Sequence, residues 1–336
     1  MKNNRKIWTG FFAAAGLILL ILDPKTALAG TREGIELCLY TVIPSLFPFF
    51  VFSTLLNNSL TGNNLPFLRP IGKLCGIPQG AESIMFLGIL GGYPVGAQML
   101  NNAYIKKSIS KDNAQRLVGF CNNAGPSFIF GMAGSLFDRS VIPLAIWLIQ
   151  ILSAIIVGMV IPKGQSTYAP VVSTPKITLA AALERSIKTM GNICGWVVLF
   201  RALCVFCVRW FLWVFPDFLQ VAAIGILELS NGCFALKTIT LGGTRFLLSC
   251  GMLSFGGLCV AMQTVSVTKD CGIGMYFPGK FLQTSISLLL AFISQPILFA
   301  PQERCLTPMW SIITLLIGAV ISLLLLRKRK IVVEIL

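Results

Sequence analysis

Long apolar runs separated by short polar stretches recur along the whole chain. Eight of them, near residues 7–22, 37–56, 114–136, 141–161, 190–214, 242–267, 281–300 and 306–326, approach the length an α-helix needs to cross about 30 Å of hydrocarbon. Two further runs have a different pattern. SIMFLGILGGYPVGAQMLNNAYI (83–105) and VAAIGILELSNGCFAL (221–236) are each broken in the middle, by glycine with proline or asparagine. Non-helical backbone at membrane depth is tolerated only where protein or a water-filled cavity satisfies it. Both runs therefore read as re-entrant hairpins.

Charge orients these elements. Lys2, Arg5 and Lys6 open the chain and RKRK (327–330) nearly closes it. Positive residues beside spans mark the cytoplasmic side, so both termini are expected there, with an even number of crossings. Arg69 and Lys73 precede the first hairpin and Lys106, Lys107 and Lys111 follow it, which suits entry and exit on the cytoplasmic face. The even number of crossings keeps the second hairpin re-entrant from the outer face, which leaves Lys237 and Arg245 on the outer side, against the charge rule. The expected fold is an all-α polytopic membrane protein of about eight transmembrane helices and two re-entrant hairpins. Residues 37–161 and 190–300 repeat one order of elements, the first starting outside and the second inside, and 306–326 adds a C-terminal span. Broken segments at matching positions of inverted halves point to a midplane solute site.

Composition agrees. Of 336 residues, 55% are hydrophobic and 12% charged, and mean hydropathy is +0.82, whereas soluble domains carry roughly 25% charged residues. The net charge of +15 sits at the ends of apolar runs, not on a patch interleaved with aromatics, and nucleic acid is excluded as a partner. The first thirty residues mimic a secretory signal, ending in ALA-G at 27–30; a retained first span is the expected outcome. Eleven cysteines are scattered through the chain, and the only C-x-x-C, Cys204 with Cys207, lies in a predicted span with no second pair and no histidine. These read as packing residues, not as a zinc site.

The candidate chemistry lies at the breaks. In FCNNAGPSFIFGMAG (120–134), Asn122 and Asn123 offer amides, and Gly125-Pro126 interrupts the helical ladder and frees carbonyls. Such groups cannot face lipid. They serve either as ligand contacts or as a kink and helix–helix glue. GGYPVGAQ (91–98) contributes Tyr93 and Gln98, ELSNG (228–232) Glu228 and Asn231, and SFGGLCVAMQ (254–263) Gln263. The candidate solute site is thus Tyr93, Gln98, Asn122, Asn123, Gly125, Glu228, Asn231 and Gln263. Tyr93, Asn122, Asn123, Glu228 and Asn231 are expected to converge on one polar cavity. Glu228 could instead pair with Arg201 or Arg209, two costly cations that share a face of span 190–214. GMYFPGKF (274–281) imitates a phosphate loop but ends in Phe281, with no hydroxyl for magnesium, and reads as a chance match. Without histidine or a nucleophile motif, no catalytic residue, cofactor or metal site is expected.

The run TVIPSLFPFFVFSTLL (41–56), followed in order by GGYPVGAQ, CNNAGPSFIFG, ELSNG and SFGGLCVAMQ, resembles the YlbJ-type sporulation integral membrane proteins. These belong to the wider nucleoside-recognition or Gate domain proteins, which include segments of nucleoside transporters and of the iron transporter FeoB. The resemblance implies a multi-pass cell-membrane protein of transporter type, needed for building the spore coat or cortex, and without FeoB's GTPase domain. Partners to expect are the lipid bilayer and a small polar, nucleoside-like solute, with a homo-oligomer or other spore membrane proteins as further candidates. The alternative function is a non-transporting structural component of coat or cortex assembly.

Overall fold

The computed structural model describes residues 2–60, 66–163, 177–305 and 317–318. The predicted span 306–326 and the RKRK cluster lie outside the described residues, apart from 317–318. Among the described residues the elements are helical. Helix α1 (Lys2–Leu22) leads into α2 (Pro24–Leu37), which a π turn at Cys38–Val42 joins to α3 (Ile43–Leu60). The short α4 (Arg69–Leu74) precedes α5 (Glu82–Gly91) and α6 (Val95–Ile105). Then come α7 (Lys111–Cys121), α8 (Pro126–Gly134), α9 (Val141–Val160) and α10 (Leu179–Trp210). The remainder is α11 (Asp217–Leu227), α12 (Leu229–Ala235), α13 (Gly242–Phe255), α14 (Gly257–Val267) and α15 (Tyr276–Leu298).

Among the described residues, five stretches are long and apolar enough to cross a membrane: Pro24–Leu56, Val141–Val160, Leu179–Trp210, Gly242–Val267 and Tyr276–Leu298. Their outward faces carry exposed Tyr40, Phe52, Leu148, Leu199, Ile293 and Ile297, more apolar surface than a soluble monomer leaves open. The protein is a helical membrane protein. The predicted runs at 37–56 and 242–267 fall within these stretches, and those at 141–161, 190–214 and 281–300 overlap them, ending one to four residues beyond. Run 7–22 does not: its apolar part, Ala13–Leu22, is too short to be one of them. Run 114–136 is not a single helix either, because Asn122 to Gly125 separate α7 from α8. Helix α10 begins at Leu179, earlier than predicted, so Glu184, Arg185 and Lys188 belong to its first turns and not to a loop.

The two interrupted runs fold back on themselves. A Cβ on Gly88 would lie 3.2 Å from the Cα of Gly96, whereas eight residues of continuous helix span about 12 Å. Gly225 and Gly232 touch in the same way. Helices α5–α6 and α11–α12 are therefore helical hairpins, closed by glycine pairs that let backbones meet. With them, the order long helix, hairpin, broken helix, long helix occurs twice: α2–α3, α5–α6, α7–α8, α9, and then α10, α11–α12, α13–α14, α15.

The two sets interlock head to tail. At one end of the bundle Gln115 Nε2, early in α7, donates to the carbonyl of Cys271, just after α14, at 2.7 Å. Beside it Asn101, late in α6, donates to Asp270 at 2.9 Å. At the other end Arg245, early in α13, donates to the carbonyl of Leu136, just after α8, at 2.7 Å. There Arg139 donates to the carbonyl of Leu298 at the end of α15, also at 2.7 Å. The start of each broken helix thus lies beside the end of the other, so α7–α8 and α13–α14 run antiparallel. The long helices α2 and α10 are antiparallel as well: Gly30 packs on Ala202 and Gly34 on Val198. Arg201 pairs with Glu33 at 2.5 Å and Arg209 with Asp23 at 3.0 Å on that seam.

Candidate functional site

All four backbone breaks meet in the middle of the bundle. The tip of the first hairpin, Gly92 (φ 76°, a left-handed conformation that suits glycine), lies against Gly125 at the first helix break. The second break, Gly256 and Gly257, lies against Gly225 and Leu229 of the second hairpin. Tyr93 crosses between the sets: its hydroxyl donates to the carbonyl of Leu253, three residues before Gly256, at 2.8 Å. Gln150 on α9 donates to the same carbonyl at 3.2 Å. Tertiary side chains thus satisfy backbone groups that the broken ladder releases, as membrane burial requires.

At this meeting point lies a cavity of about 40 Å³, lined by Tyr93, Gly125, Glu228, Ser230 and Gln263 together with Val42, Ile193 and other apolar residues. Glu228 is an extended residue between α11 and α12. Its carboxylate caps α12, accepting from the backbone N–H of Asn231 at 2.6 Å and from its side-chain amide at 2.7 Å. Among the described residues no lysine or arginine pairs with Glu228. Gln263 donates to Cys259 Sγ at 3.4 Å.

The predicted residues separate into groups. Tyr93, Gly125, Glu228 and Gln263 line the one cavity. Asn231 supports it from behind, through Glu228. Asn122 and Asn123 are buried but do not line it. Asn122 donates to Thr264 Oγ1 at 3.0 Å on α14, and its side-chain oxygen is buried without a partner. Asn123 belongs to a second polar cluster: its side-chain oxygen accepts from Gln283 at 2.8 Å and from Lys280 at 3.3 Å. Gln98 is half-buried on α6 and does not line the cavity. The alternative pairing of Glu228 with Arg201 or Arg209 does not form, because both arginines face α2.

Lys280 is the residue that sequence reasoning missed. Its side chain is fully buried in α15, beside Asn123, Gln283 and the Tyr93 ring. It sits in the segment 274–281 that imitates a phosphate loop. The available signal was a lone cation five residues into an apolar helix, a placement that is costly in lipid. Arg116 is also buried, but its guanidinium donates to the carbonyls of Cys75, Gly76, Gly158, Ile161 and Pro162. That makes it a staple between loop and helix ends.

The fold and its buried polar centre define the class, a multi-pass helical membrane protein with interrupted helices converging at its core. This chain is similar to the sporulation integral membrane protein YlbJ of Bacillus subtilis (strain 168), with 33% identity over 137 residues. That match covers 38% of this chain and 33% of the relative, and over that stretch it supports a YlbJ-like family. No protein-family model matches the chain, and no solved structure matches it.

Proposed function

We propose that this chain is a transporter-like membrane protein of sporulation, built of two inverted repeats that part at the central cavity to pass a small polar solute. The observation that carries this reading is the convergence of both hairpin tips and both helix breaks on one cavity lined by Tyr93, Gly125, Glu228 and Gln263. The head-to-tail interlocking of α7–α8 with α13–α14 supports the inversion. It also sets the two hairpins at opposite ends of the bundle: α6 ends beside Asp270, whereas Leu236–Thr238 follows α12 toward Ile239, whose carbonyl accepts from Arg245. Lys106, Lys107 and Lys111 beside the first hairpin favour that end as the cytoplasmic one on charge, and both termini are proposed to lie on that side.

At about 40 Å³ the cavity has room for a few water molecules, far below the several hundred Å³ of a pocket for a nucleoside-sized ligand. The conformation is therefore a closed one, and a nucleoside-like solute enters only when the units part. The same tightness favours the second reading, a non-transporting membrane component of coat or cortex assembly. The discriminating experiment is uptake of labelled nucleosides and small polar metabolites into vesicles containing the purified chain. Uptake that Tyr93→Leu and Glu228→Gln abolish supports transport. An inert panel, with both variants sporulating normally in a strain that depends on the protein, favours the structural role.

A further inference from the structure

Lys280, Gln283 and Asn123 do not line the cavity, and the proposed solute pathway does not use Lys280. Lys280 Nζ donates to Gln283 Oε1 at 2.9 Å and to Asn123 Oδ1 at 3.3 Å, and stands 5.2 Å from the centre of the Tyr93 ring. An ammonium has three N–H donors, and here it meets two amide oxygens and one aromatic face, whose quadrupole attracts a cation. The surroundings fit the protonated form. Yet among the described residues no carboxylate forms an ion pair with it. Among the described residues the salt bridges join Arg69 to Glu82, Arg201 to Glu33 and Arg209 to Asp23, and Glu228 is engaged with Asn231.

The groups facing Lys280 from neighbouring helices are few. Helix α7 presents Cys121, while its Arg116 is turned toward carbonyls at the helix end. The first hairpin presents Tyr93. Helix α9 presents no charged residue, only Gln150, whose side-chain oxygen is buried without a partner. Helix α13 holds its one cation, Arg245, on the carbonyls of Ile239 and Leu136 at the bundle end. Tyr276, one turn earlier on α15, has a buried hydroxyl without a hydrogen bond.

This arrangement distinguishes the ligands that Lys280 could hold. A solute anion would need space beside Nζ, but Lys280 is fully buried and does not line the cavity. A proton needs none. With a carboxylate partner, losing the proton would strand an anion; with neutral partners, it weakens all three interactions by removing the positive charge and one N–H donor. Those interactions tie α15 (Lys280, Gln283) to the break of α7–α8 (Asn123) and to the hairpin tip (Tyr93), which is where the two units must separate.

We infer that Lys280 is a proton-binding site that latches the two units: as ammonium it holds the seam closed, and release of one proton to water, leaving the neutral amine, loosens it. The inference rests on the two-unit reading but not on the identity of any solute.

The test is hydrogen–deuterium exchange of the full chain in lipid nanodiscs, corrected for intrinsic rates, with the proton as the only ligand varied. Peptides covering 117–128 and 276–287 are followed between about pH 6 and about pH 9, the range that a perturbed amine can span. In the wild type, protection is expected to fall about tenfold as pH rises, on the scale of a local opening. Lys280→Arg, permanently charged, stays protected throughout, and Lys280→Met, permanently neutral, stays open throughout. If Lys280→Arg fails to fold, the comparison of wild type with Lys280→Met and Gln283→Leu still decides the matter. Wild-type protection that is independent of pH, or a pH response that survives in Lys280→Met, overturns the latch. A response in the wild type without uptake of any solute keeps the latch and rejects transport.

Discussion

The hydroxyl of Tyr93 donates to the carbonyl of Leu253 across 160 positions of sequence, at 2.8 Å. The bond ties the tip of the first hairpin to the second broken helix, and Gly256 leaves room for it: a Cβ there would stand 3.1 Å from the phenolic oxygen. Tyr93→Phe keeps the ring over Lys280 and removes only the hydrogen bond. The Leu253 carbonyl retains Gln150 as a donor, so the loss is that of one bond, about 1 kcal/mol. Thermal unfolding in detergent should show a modest drop in midpoint with normal accumulation. An unchanged midpoint would mean that this contact does not hold the seam.

The hairpins depend on glycine pairs. A Cβ on Gly232 would overlap the Cα of Gly225, and one on Gly88 would overlap the carbonyl oxygen of Cys121. Backbone cannot move away as a side-chain end can, so Gly232→Ala and Gly88→Ala should sharply reduce the folded protein in the membrane, as overpacking of a tight core does. Gly131 and Gly195 have nothing within 4 Å of the same position. Alanine at either should leave the amount of folded protein unchanged, and equal loss at all four positions would rule out the hairpin packing.

Asn123 accepts from Lys280 and Gln283 together. Asn123→Leu should therefore do more than remove a ligand contact. It leaves a buried cation short of an acceptor, at roughly 1.5–3 kcal/mol for a hydrogen bond to a charged group. Lys280→Met should reduce that penalty, so the double variant is expected to be more stable than the sum of the single losses. Simple additivity in thermal or denaturant unfolding would show that the two side chains act independently.

Much of this fold could be read from the pattern of apolar runs. Both helical hairpins were visible because glycine with proline or asparagine interrupts each apolar run in its middle. The start of α10 was hidden because Glu184, Arg185 and Lys188 look like loop residues, yet they occupy the end of a long helix where charge meets water. The candidate site was read in part. Breaks mark where polar backbone must be satisfied, which is why the sequence singles out Tyr93, Gly125, Glu228 and Gln263, four residues that line one cavity. Asn122, Asn123 and Gln98 were placed in the same site but do not line the cavity, because which face of a break lines it is a matter of helix rotation that sequence spacing does not set. Lys280 escaped because its partners lie on α7 and in the first hairpin, far away in sequence.

The central claim is that two units of like element order insert in opposite senses, so that their hairpins enter from opposite faces of the membrane. Lys106, after the first hairpin, and Lys237, after the second, are both exposed. The direct measurement is labelling of Lys106→Cys and Lys237→Cys in intact cells and in inside-out vesicles, with a membrane-impermeant thiol reagent and the unsubstituted chain as background. The account predicts that position 237 labels only from outside and position 106 only from the cytoplasmic face. Labelling of both positions from the same side would contradict it.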